Sequence, residues 1–314
     1  NDSCSEFPAE IFAGNVGLTG WEYSQTGRGD TFDIPESLAP DADSVATSNW
    51  NAFDGSGLPS VLEDRVVPGS DVLVVRSFAP SGLEVDSNDD DTKINVTGAG
   101  TCAAADCRTP EAGDLMLITN CASGTDLFQQ ANGKSPTSVL DKSAMSCSAT
   151  GPGNNTASGW STSYDESAQV FSVRQVAYFV GFADGNRQEP GLYQLDLADN
   201  QSTELVEGVE SMQVLYGFSR AAPAGDGQSV DADDWITADE IPADGLPQII
   251  ALRISLLMRS PERADGDRTE KSVALFALRE DDPRALTVNL PGDGRIRQPF
   301  STTAALRNQL IVIE

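Results

Sequence analysis

The residues of this chain best suited to chemistry are its cysteines and its crowded carboxylates. Five cysteines stand at Cys4, Cys102, Cys107, Cys121 and Cys147. The last four are spaced C-x4-C-x13-C-x25-C, which could serve zinc ligation by thiolates or disulfide formation. The spacing lacks the paired C-x2-C knuckles of structural zinc sites, and the composition resembles that of secreted proteins, so disulfides are the expected chemistry. Cys102 with Cys107 and Cys121 with Cys147 is the first pairing to consider, with Cys4 left over. Spacing alone does not fix the connectivity.

Two acidic runs offer hard oxygen ligands to calcium: Asn88 to Asp91 (NDDD) and Asp226 to Asp234 (DGQSVDADD). The second is the better candidate, with Asp226, Asp231, Asp233 and Asp234 as ligands. Neither run has the EF-hand loop pattern closed by Glu, and with 48 Asp and Glu in 314 residues such clusters are expected as solvated surface. The same abundance hides any glycosidase-like carboxylate pair, whose separation is not readable from sequence.

What is missing narrows the chemistry further. The chain has no histidine, which removes Ser-His-Asp and Cys-His nucleophiles, imidazole metal ligands and an imidazole pH switch. Its 20 Lys and Arg leave a net charge of −28, and they form no basic stripe, so nucleic acid is not an expected partner. No G-x-S-x-G or phosphate-binding loop is present, and the expectation is a protein that is not an enzyme. Gly98 to Ala103 fits G-x-G-x-x-A, but Cys, Asp and Pro follow where the dinucleotide motif needs a helix. Arg28-Gly29-Asp30 matches an integrin-binding tripeptide, and Asn95, Asn154 and Asn200 are sequons. Each also fits ordinary turn or surface composition.

The elements that would position these groups read as short strands. Strands are predicted at Asp71 to Phe78, Leu115 to Thr119, Leu127 to Gln130, Val170 to Val180, Leu192 to Leu197, Ser211 to Phe218, Gln248 to Arg259, Ser272 to Leu278 and Arg295 to Leu306. In Gln248 to Arg259 the even positions from Ile250 to Met258 are apolar, predicting a core face with Ala251, Arg253 and Ser255 on a wetter one. A helical turn is predicted near Thr237 to Ile241. Residues 1–68, with isolated aromatics such as Trp21 and Trp50, read as a wrapping segment pinned by aromatic anchors, and residues 69–314 as a β head. Long loops are expected at about 131–165 and 221–234. Of the cations 16 are Arg and 4 are Lys, a skew that together with the acidity suggests a salt-adapted source. No apolar run reaches the roughly 18 residues needed to span a membrane.

Taken together, a set of segments resembles the PilW-type minor pilins of type IV pilus assembly. These are GSDVLVVR (from Gly69), GDLMLITNC and DLFQ (from Gly113 and Asp126), VAYFVG (from Val176), ELVEGVESMQVLYGF (from Glu204), ITADEI (from Ile236), IIALRISLLMRS (from Ile249) and FSTTAALRNQL (from Phe300). The J-type pseudopilin of type II secretion is the nearest cousin. The resemblance implies an α+β pilin fold lacking most or all of its N-terminal helix, with an antiparallel sheet enlarged into a two-lobed β head. It implies contacts with other minor pilins, the major pilin and a tip adhesin, an inner-membrane anchor through the absent helix, and a periplasmic head that ends on an extracellular bacterial pilus. The chain opening at Asn1 without a leader reads as a processed or trimmed product of a longer precursor. The alternative is a freestanding secreted β-rich adhesin using Arg28-Gly29-Asp30 or the acidic loops.

Overall fold

A computed structural model describes residues 17–35, 49–53, 55–88, 90–98, 110, 113–120, 124–131, 138–143, 155, 159–183, 186–197, 200–219, 232–242, 248–263, 271–277 and 282–306. Strands dominate them. In chain order they are β1 (Leu18–Tyr23), β2 (Thr31–Asp33), β3 (Trp50–Asn51), β4 (Val72–Asn88), β5 (Lys93–Thr97), β6 (Leu115–Thr119), β7 (Thr125–Gln129), β8 (Val139–Asp141) and β9 (Gln169–Ala183). There follow β10 (Asn186–Asp196), β11 (Gln201–Glu207), β12 (Val209–Phe218), β13 (Asp234–Ile236), β14 (Ile249–Arg263), β15 (Lys271–Leu275), β16 (Leu286–Leu290) and β17 (Arg295–Ala305). Helical turns occur at Ser60–Glu63 and Ala238–Glu240. The mainly β, antiparallel expectation holds; the parallel pairing of β2 with β16 is an exception.

The chain forms two compact units. The first holds the described residues of Arg76–Gln175 and Leu197–Asp199. In it β6 pairs with β7 and with the start of β9, while β5 pairs with β4 and β8, all antiparallel. Alternating side chains from these strands, among them Val85, Ile94, Met116, Ile118 and Phe128, meet in one buried cluster. Trp160 stands edge-on to Phe128 and Tyr164 at its margin.

The second unit holds the described residues of Gly17–Val75, Val176–Asp196 and Asn200–Glu314. Its centre is β12, buried at every position, because β13 and β14 flank it and β17 extends the sheet beyond β14. The sequence explains this inner place: Met212, Val214, Tyr216 and Phe218 are apolar or aromatic on alternate positions, and the polar side chains between them find partners inside. β10 pairs with β11 and with β9. β1 lies between β3 and the start of β4.

Within residues 1–68, β1 is almost completely buried. Trp21 and Trp50 are fully buried, and Tyr23 packs edge-on against Phe32 and Trp50. In β14 the faces differ from the prediction. Ser255 and Leu257, on the supposedly wetter side, are fully buried, whereas Ile254, Leu256 and Met258 are only half-buried. The Ser255 hydroxyl can be buried because it hydrogen bonds the Ser301 hydroxyl at 2.7 Å.

Candidate functional site

β12 has one edge on β14, and only its last residues pair with β13. The backbone groups left over on its other edge are satisfied by Ser70 and Asp71. Asp71 donates its N–H to the Met212 carbonyl at 2.8 Å, and the Ser70 hydroxyl accepts the Met212 N–H at 3.0 Å. The Asp71 carboxylate then accepts the Val214 N–H through Oδ2 at 2.8 Å and the Tyr23 N–H through Oδ1 at 3.0 Å. One side chain thus ties the end of β1 to the edge of β12.

Glu22 is buried beside it. In the antiparallel register of β1 and β4 Trp21 faces Val72, which brings Glu22 opposite Asp71. Two neighbouring buried carboxyls do not both ionise without a cation between them. Both Asp71 oxygens accept N–H groups, while the buried Glu22 Oε2 has no hydrogen-bond partner among the described residues; the proton belongs on Glu22. Burial, followed by the negative charges of Asp71 and Asp239, raises the Glu22 carboxyl well above its ordinary range. Burial likewise pushes Asp71 up to about 7, against the two backbone N–H groups that favour its ionised form. The Tyr216 phenol, buried in the same place, is raised by burial and by both carboxyls.

Further along the same unit, three arginines meet three carboxylates. Arg297 is bidentate to Glu210 (2.6 and 3.0 Å) and to Asp293 (2.7 and 2.9 Å). Arg259 joins Glu210 to Glu189 at 3.1 and 3.0 Å, and Arg295 reaches Glu189 at 2.9 Å. Burial pulls the Arg297 guanidinium down, but its hydrogen bonds to Asp293 and Glu210 outweigh that and raise it. The hydrogen bonds from Arg297 hold Asp293 down at about 2.

The register places a third feature on the same sheet. Leu256 faces Met212 on one side and Phe300 on the other, and Ile254 faces Val214 and Thr302 in the same way. Opposed residues share a face, so this face runs from buried β12 through half-buried β14 to exposed β17. Phe300 is 54% exposed and Ile296, at the same parity, 64%. Ile254, Leu256, Met258, Phe300, Thr302 and Ala304 carry no charge, in a chain where 22% of residues are charged. Among the described residues no strand pairs with the outer edge of β17.

Cys4, Cys102, Cys107, Cys121 and Cys147 lie outside the described residues, as do Asp226 and Asp231. Asp233 donates its N–H to Phe218. The Asp234 carboxylate accepts the Trp235 N–H and stands 3.9 Å from the Arg28 guanidinium and 3.8 Å from that of Arg284. Among the described residues no group of three or more acidic side chains is arranged to hold a metal. The Arg28 side chain of the Arg-Gly-Asp tripeptide turns inward, bonding Asp282 at 3.2 Å and the Trp235 carbonyl. Asp30 folds back on the Gly27 N–H. Asn200 accepts from Arg65, and Asn95 bonds Ser87.

The outward feature of this sheet, among the described residues, is its uncharged strip. The family model described as Type IV Pilus-assembly protein W matches residues 177–308, which supports a pilus-assembly family and involvement in type IV pilus assembly. Apart from 197–199 the matched region lies in the second unit, and it contains β12, β14 and β17. No curated protein and no solved structure matches the chain. No described helix is long and apolar enough to cross a membrane.

Proposed function

We propose that this chain is the head of a minor pilin that helps initiate type IV pilus assembly, at or near the filament tip, through non-covalent contacts with other minor pilins and the major pilin. The observation that carries the reading is the coincidence of the PilW match, residues 177–308, with the sheet whose uncharged strip ends on Ile296 and Phe300. A strand edge that no other strand covers is a place where chains pair. A largely apolar, uncharged strip on an acidic protein likewise marks an interaction surface. In this reading β14 and β17 dock on a neighbouring subunit, no chemistry is performed, and a tip adhesin is a further partner. A helix encoded upstream of Asn1 holds the subunit in the inner membrane, with its head in the periplasm, until it is built into an extracellular pilus. The J-type pseudopilin role differs by its gene neighbours. The adhesin alternative loses its main motif, because Arg28 is engaged internally.

The test is deletion of the gene and complementation with wild type, Ile296→Asp or Phe300→Asp, counting surface pili by electron microscopy. Pili are expected to vanish on deletion and return only with wild type. Both variants alter exposed positions, so the purified heads should keep wild-type urea midpoints to within about 0.5 kcal/mol. Unchanged piliation on deletion overturns the pilus role, and full rescue by both variants overturns the docking strip. The upstream coding sequence gives a second check: a leader followed by about 20 apolar residues is expected, and a cleavable signal peptide with no retained helix contradicts the pilin reading.

A further inference from the structure

We propose that Glu22 and Asp71 form a proton-operated latch between β1 and β12, closed while the pair holds a proton and loosened when that proton leaves. The geometry requires the proton. Two carboxyls opposite one another in the register and both buried do not both stay anionic, since like charges in a low dielectric repel strongly. Asp71 uses both oxygens on the Tyr23 and Val214 N–H groups, so Glu22 carries the proton. The Thr26 hydroxyl has a single proton to give and stands 3.1 Å from Glu22 Oε1 and 2.7 Å from the Tyr23 carbonyl. A neutral carboxyl tolerates that sharing; a buried carboxylate does not.

Among the described residues the groups that act on the pair leave it no compensating cation. From the Ala238–Glu240 turn comes Asp239, a further negative charge. From β12 comes Tyr216, a neutral phenol whose hydroxyl is buried without a hydrogen-bond partner among the described residues. Arg28, on the loop after β1, is committed to Asp282 and Asp234. Asp71 is also the residue whose carboxylate and backbone join β1 to β12, so charging the pair strains that junction.

The absence of histidine makes the latch readable. Between about pH 5.5 and 7.5 no ordinary side chain titrates in a chain of this composition. Both carboxyls are raised in the folded state relative to their ordinary values near 4, so the folded protein holds more protons than the unfolded one across that window. The stability this contributes is full below about pH 4 and is lost as pH rises through 7 and above. The two groups titrate as a unit.

The experiment is urea unfolding of the purified chain at pH 5.5, 6.5 and 7.5, for wild type and Glu22→Gln. Gln keeps a donor toward Asp71 and an acceptor for Thr26 but does not titrate. For wild type the unfolding constant is expected to rise with pH, by up to tenfold per unit for each proton involved. The variant, left with Asp71 alone to titrate, should show a shallower slope and, at pH 7.5, be the more stable of the two. Equal slopes overturn the latch, as does a wild type with no slope. Should Glu22→Gln fail to fold, infrared spectroscopy of wild type at pH 7 decides. A carbonyl band of a protonated carboxyl that disappears at high pH together with protection of the Tyr23 and Val214 amides supports the latch, and its absence overturns it.

Discussion

Gly20 and Tyr216 occupy each other's space: a Cβ placed on Gly20 would lie 1.8 Å from the Tyr216 hydroxyl and 3.3 Å from the Ala238 Cβ. β1 comes this close to β12 only because position 20 has no side chain. Gly20→Ala is therefore expected to cost about 1–3 kcal/mol, as overpacking does, measured as a fall in urea midpoint.

Tyr216→Phe should behave in the opposite way. The hydroxyl is buried and without a partner among the described residues, so its removal relieves an unsatisfied polar group. The variant is expected to be neutral or stabilising by about 1 kcal/mol. In the double variant Gly20→Ala with Tyr216→Phe, part of the loss should return, giving a coupling energy in a double-mutant cycle.

Arg297 and Glu210 are each nearly inaccessible to solvent. Replacing Arg297 by Met leaves Glu210 buried with only Arg259 for charge compensation, and a loss of about 3–5 kcal/mol is expected. Because water and salt hardly reach the pair, the loss should be nearly the same at low and high sodium chloride, in contrast to a surface ion pair. Chemical denaturation at the two salt concentrations makes the comparison.

In the first unit Asp126 gathers the Lys142 ammonium at 2.7 Å, the Ser161 N–H and hydroxyl, and the Tyr164 hydroxyl. Burial would raise this carboxyl, but those hydrogen bonds outweigh it and hold it below its ordinary value. The sign is opposite to that of Glu22. The stability from Asp126 is present above its unfolded value near 4 and is lost as pH falls through its folded one. Asp126→Asn should be less stable than wild type at neutral pH, and the gap should narrow on acidification, as read by thermal unfolding between pH 2 and 6.

How far the sequence carries can be seen strand by strand. β6, β12 and β14 are legible because β-branched or alternating apolar residues run through them. β1 is hidden, since LTGWEY holds a glycine at its centre that reads as a break but records a close approach to Tyr216. β11 (QSTELVE) is exposed along its length and so has no apolar face to betray it. β16 is short, and its alternation over LTVNL is weak on its own. Trp21 and Trp50 are recognisable as anchors from their size. The Glu22 and Asp71 pair is not recognisable at all: among 48 carboxylates these two meet through the antiparallel pairing of β1 with the start of β4, which no local pattern encodes. The neutral polar residues of β12, Ser211 and Gln213, look like surface and are buried because Gly69 accepts hydrogen bonds from both.

The cluster of Arg259, Arg295 and Arg297 with Glu189, Glu210 and Asp293 is balanced, three cations against three anions. It therefore takes no share of the net −28, all of which falls on the rest of the molecule. Two heads approaching in dilute buffer meet mutual repulsion over a range set by ionic strength. The half-buried and exposed residues from Ile254 to Met258 and from Phe300 to Ala304 form a gap in that field, where a neighbour can come into contact with the least electrostatic resistance. Assembly through this gap would then be favoured by salt, so that the ionic strength of the surroundings becomes a control on how readily such subunits join.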